Sequence, residues 1–166
     1  MRIGEGDKPL PARSHPGDRE SVVIRCTSRV IKGYLESPRW TSADSALGGN
    51  SESPGDIFHI RHHETNSIEG VPAQEVKAIF FVHDLAGQPE HLSLQFHTDE
   101  EIVPGIWVHV KFRDGEVIEG IVDNSINYLI DSGFFLRPTD PGSNNRLVYV
   151  MKHWLVDHHV LGLTRI

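Results

Sequence analysis

A chain of 166 residues with 38% hydrophobic residues allows one domain or two small ones, and carries less core-forming material than an average globular protein. Its formal charge of −7 works against a nucleic-acid partner, whose affinity comes largely from Lys and Arg neutralising phosphates, and a single cysteine, Cys26, excludes an intramolecular disulfide. No apolar run reaches the length of a membrane span and residues 1–7 hold no signal-peptide core, so a cytoplasmic protein without a membrane partner is expected.

Residues 1–20 carry three prolines and three glycines among charges, and too little apolar surface to offset the entropy of ordering; a disordered tail is expected. The first apolar runs, at 22–26 and 30–35, flank a short polar turn and predict a β-hairpin. A Ser, Gly and Pro-rich insertion follows at 36–56, with Trp40 inside it. Residues 57–61 alternate apolar and polar side chains as a half-buried strand does. A short element opens at Val71 and Pro72, and the strongly apolar run 75–82 ends repeat 1, which spans 21–84.

Residues 85–105 read as a linker, with one possible strand where Leu92, Leu94 and Phe96 alternate with polar residues. Repeat 2 covers 106–166. Its strands are predicted at 107–112, 117–122, 133–138, 147–151 and 155–163, the first two joined by an Asp114-Gly115 turn, one of the stronger hairpin signals.

The two regions correspond in order. Residues 22–26 match 108–112, 30–33 match 117–120, 58–61 match 134–137, and 76–82 match 155–161 more loosely. Gly33 and Gly120 fall at the same place, where a strand glycine marks a bend or a close backbone approach. The expected fold class is all-β: two tandem small five-stranded barrels, SH3-like or Sm-like, depending on each other through a shared interface. The expected core is Val22, Ile24, Cys26, Val30, Phe58, Ile60, Ile79 and Phe81 in the first copy. In the second it is Val108, Val110, Phe112, Val117, Phe134, Leu136, Val148, Val150 and Leu155.

The stretch 108–120, the run 133–138, the segment 140–150 and the run 76–82 are together similar to an uncharacterised bacterial domain family. That resemblance implies paired small barrels, sometimes attached to signalling proteins. It implies no catalytic residues.

Five groups are candidate sites. His59, His62 and His63, with Glu64, form the densest cluster among eleven histidines. On a strand His59, Arg61 and His63 would share a face, and a zinc site there would need a further ligand such as His83 or His158. Trp40, and the polar loop of Asn144, Asn145 and Arg146, are candidate partner contacts, with turn formation as the ordinary role of such asparagines. An Sm-like RNA site is only faintly suggested by Asp123 and Asn127. Thr65-Asn66-Ser67-Ile68-Glu69-Gly70 carries the Ser and Gly of a cyclic-dinucleotide motif without its arginine pair. There is no nucleophile elbow and no Walker phosphate loop. The expected function is a non-enzymatic protein-interaction or regulatory module that needs no cofactor. The alternatives are an RNA-binding barrel and a histidine metal site.

Overall fold

A computed structural model describes residues 19–36, 57–87 and 105–164. The tail at 1–18, Trp40 with nearly all of its insertion, and the strand expected at 92–96 lie outside the described residues.

The strands in chain order are β1 (Ser21–Cys26), β2 (Val30–Leu35), β3 (Ile57–His62), β4 (Ile68–Pro72), β5 (Val76–Val82), β6 (Gly105–Phe112), β7 (Val117–Val122), β8 (Gly133–Pro138), β9 (Asn145–Met151) and β10 (Leu155–Thr164). A five-residue helix, α1 (Ile126–Ile130), sits between β7 and β8, and 3₁₀ turns at Ala73–Glu75 and Lys152–Trp154 lead into β5 and β10. So short a helix shows no full helical period in the sequence.

The fold is all-β, but its organisation differs from the expected pair of barrels. All ten strands form one antiparallel sheet, ordered β10-β6-β7-β8-β9-β5-β1-β2-β3-β4, and the sheet does not close. The physical cause lies in β5. Every one of its residues is buried, so it needs cover on both faces and a partner on both edges. β1 supplies one edge and β9 the other. A parallel case holds for β9, which lies between β8 and β5.

Two cores result, on opposite faces of the shared strands. Alternation sends Ile79 and Phe81 from β5, with Leu147 and Tyr149 from β9, into a cluster with Val22, Ile24, Phe58 and Ile60. The intervening Ala78, Phe80, Val148 and Val150 enter a second cluster with Val108, Val110, Phe134 and Leu136. Thirteen of the seventeen expected core positions are buried. Val30 is the clear exception, 58% exposed. The register pairs Ile24 with Ile31 and Arg25 with Val30, so Ile31 faces the core and Val30 joins Arg25 on the outer face. Cys26, Val117 and Leu155 are only half-buried.

The pairing registers of the two regions can be laid side by side. Val22 faces Gly33 as Val108 faces Gly120, and Phe58 faces Val71 as Phe134 faces Val150. A register shift skips Lys77 in the β1·β5 ladder and Val156 in the β6·β10 ladder. The second hairpin closes through Gly115, which takes a positive φ of 87°, and the Phe112 amide donates to the Glu116 carbonyl at 2.9 Å. In the first, one residue shorter, the Cys26 amide donates to the Arg29 carbonyl at 2.9 Å.

Candidate binding surface

Each candidate site residue within the described segments already has a local role or a local setting. His59 is exposed on β3, while His62 points to the opposite face, as strand alternation requires. His62 Nε2 lies 2.8 Å from Glu69 Oε2, and His63 Nδ1 lies 3.4 Å from the Tyr34 hydroxyl. Hydrogen bonds from His62 and then Arg29 hold the Glu69 carboxyl below the usual carboxylate range. Among the described residues no three His, Cys, Asp or Glu side chains gather closely enough to hold a metal ion. The three histidines are therefore not brought together.

The polar loop is tied to the end of β5. Asn144 Oδ1 accepts from the Asp84 amide at 3.0 Å, and Asn144 Nδ2 donates to the Asp84 carbonyl at 2.9 Å. The His83 amide donates to the Asn144 carbonyl, and the Asn145 amide to Ser143 Oγ. Arg146 pairs with Glu20. These contacts make Asn144 a clamp between two loops, in keeping with the turn role of asparagine.

Asn144 and Asn145 line a groove of about 720 Å³ together with Arg25, Arg29, Lys32 and Lys77. Four cations in one groove suggest an anion site, but most of that charge is already matched. Arg25 Nη1 contacts both Glu116 oxygens at 2.7 and 2.8 Å. Lys77, only 3% exposed, donates to Asp114 at 2.5 Å and to Glu116. Arg29 pairs with Glu69 at 2.5 Å. Lys32 donates to the Leu85 carbonyl at 2.8 Å and has no carboxylate partner among the described residues. The Lys77 hydrogen bond is the main cause that holds Asp114 below the usual range. Burial, against the opposing charge of Arg29 and with smaller help from Glu75 and Glu69, pushes the Cys26 thiol up, which disfavours a thiolate in the same groove.

The edge of the sheet is the opposite case, a surface without a second strand partner among the described residues. Among the described residues β10 has β6 as its single strand partner; on the other side of the strand the His158 amide donates to Asp157 Oδ1 at 2.9 Å, and no further strand lies along it. Val156, Val160, Leu161 and Leu163 are all exposed on it. β5, which pairs with β1 through the same skipped position, is buried throughout. His158 caps the inner end of the β10 edge. Its ring stacks on Phe134 at 5.8 Å and 20°, and its Nε2 contacts the Tyr128 hydroxyl, the one α1 side chain that is buried. Burial, then the charge of Lys152, lowers the His158 pKa. Ile126, Leu129 and Ile130 on α1 are exposed. Sequence reasoning placed the strand at 155–163 but gave no sign that it would be an edge; strand order depends on which distant strand covers β5.

Residues 18–162 match the model of a family described as a family of unknown function, DUF6982. No curated protein and no solved structure matches the chain.

Proposed function

We propose that this chain, which belongs to the DUF6982 family of unknown function, is a non-enzymatic protein-interaction module that takes a partner strand along the open edge of β10. The observation that carries the reading is the contrast between β5, fully buried between two partner strands, and β10, which among the described residues has a single strand partner and exposes four large apolar side chains. An added strand would pair with the backbone on the other side of β10, with side-chain pockets on alternate positions supplying specificity.

In this reading the halves 21–82 and 105–164 are two units of one small-barrel design. Support comes from strand order, since each half runs last strand, first, second, third, fourth: β5-β1-β2-β3-β4 and β10-β6-β7-β8-β9. A 3₁₀ turn before the last strand of each half adds to it. The matched charges of the groove disfavour a phosphate-bearing partner there and leave the edge as the stronger surface.

The test uses a soluble peptide alternating Val with Thr and carrying Lys at its ends, added at a concentration where the chain alone is monomeric. Hydrogen exchange of the amides of β10 is expected to slow in its presence, while those of β7 stay unchanged. Val160→Lys is expected to weaken binding about tenfold, roughly 1.4 kcal/mol. Unchanged exchange along β10 at saturating peptide would refute the reading.

A further inference from the structure

The edge just described has a matching edge at the far end of the same sheet. We infer that β10 of one molecule pairs antiparallel with β4 of a second copy, so that the chain assembles head to tail; the inference rests on the β10 reading above and names its partner.

The argument starts from the seam inside the molecule. There the last strand of the first half, β5, pairs with the fourth strand of the second half, β9. The two strands left at the ends of the sheet are the last strand of the second half, β10, and the fourth strand of the first, β4. The open edges are thus the two strand positions that the molecule already joins once.

Registers make the comparison residue by residue. Val108 opposite Val160, and Val110 opposite His158, repeat Val22 opposite Phe81 and Ile24 opposite Ile79. On the other side His59 opposite Gly70, and Ile60 opposite Glu69, repeat Phe135 opposite Tyr149 and Leu136 opposite Val148. The seam pairs Ile79 with Tyr149, Phe80 with Val148 and Phe81 with Leu147. Carried to the open edges, that register sets His158 opposite Gly70, His159 opposite Glu69 and Val160 opposite Ile68.

The chemistry of these pairs is complementary. Val160 and Ile68, 60% and 53% exposed, would cover each other. His159, which bonds Asp157 at 2.7 Å, would sit beside Glu69, which bonds Arg29 and His62, so this pair places polar side chains together without burying an unmatched charge. Gly70 has no side chain to obstruct His158, which stays packed on Phe134. Pro72, without an N–H, ends the β4 edge and limits the new ladder to a few residues. The two surfaces differ, so the contact is heterologous and propagates instead of stopping at a two-fold dimer.

The test is the mass of the full chain by sedimentation velocity from low to high micromolar concentration. Species larger than a dimer are expected to grow with concentration. Ile68→Lys and Val160→Lys should each stay monomeric. Mixed together they should form a 1:1 heterodimer and nothing larger, because one keeps a sound β10 and the other a sound β4. A symmetric β10·β10 dimer would instead leave Ile68→Lys free to associate, which would overturn the inference. So would a wild-type chain that stays monomeric at every concentration. Should a variant misfold, concentration-dependent protection of the amides of both β10 and β4 in the wild type supports the inference without substitution, and protection of β10 alone overturns it. A monomeric wild type whose β10 is still protected by the Val/Thr peptide would sink self-assembly alone; loss of both signals would sink the edge reading with it.

Discussion

Glu116 is the residue through which the two halves hold each other's charge. It receives Arg25 from β1 and the nearly buried Lys77 from β5, while its own place is in the turn before β7. Lys77 and Arg25 also lie over the rings of Phe112 and Phe80, at 4.5 and 4.8 Å. Removing the shared carboxylate leaves the nearly buried Lys77 with Asp114 alone and the part-exposed Arg25 without its bidentate partner, so Glu116→Ala is expected to destabilise the fold by about 2 kcal/mol. Lys77→Met leaves only the more solvated carboxylates behind and should cost clearly less, as chemical denaturation of both variants would show. Asp114 adds a pH dependence. Its folded pKa lies below the unfolded value, because Lys77 bonds the ionised form. Its stabilisation is therefore present above the ordinary carboxylate range and lost as pH falls through the depressed value. In Asp114→Asn the acid limb of a melting-temperature profile should flatten. Gly33 and Gly120 are constrained by space: a Cβ would overlap the Arg61 carbonyl at the first, and the Arg137 carbonyl with the Leu136 side chain at the second. Ala at either position should cost more than about 2 kcal/mol, since neighbouring backbone must move.

Among the elements, α1 and β10 are joined through one small ring cluster. Tyr128 meets Phe134 edge-on at 5.1 Å, and His158 stacks on the same ring. Burial favours the neutral imidazole, so the folded pKa of His158 lies below the unfolded one. Its contribution is complete above the ordinary histidine range and declines as pH falls toward the depressed value. Unfolding titrations should show stability decreasing on acidification below about pH 6.5, and His158→Phe should remove that slope. Tyr128→Ala should cost about 3 kcal/mol and bring the His158 pKa, followed by NMR, back toward its ordinary value. Leu129→Lys, on the exposed face of the same helix, should change stability by no more than about 0.5 kcal/mol.

For the whole molecule, shared strands decide cooperativity. β5 and β9 each give one face to each core, so neither half can keep its interior without the other. Heat or urea should unfold the chain in one transition, with far- and near-ultraviolet signals coinciding. A fragment of residues 105–166 should lack a stable fold, because Leu147 and Tyr149 would lose the partners that bury them. Two separate transitions in the intact chain would contradict this account.

Strand positions followed from alternation and turn chemistry, which act over a few residues: 57–61, 107–112 and 117–122 all read correctly, as did the Asp114-Gly115 turn. The doubly apolar run 76–82 announced a strand buried on both faces without saying what buries it. Its partner β9 begins some sixty residues later, and no local pattern carries that choice. The same long-range pairing decided that the halves merge into one open sheet, that Ile31 and not Val30 faces the core, and that β10 and β4 are left as edges. Sequence proximity concentrated the histidines on paper. Alternate faces of β3 then separated them in space, because side-chain direction is a property of the folded strand.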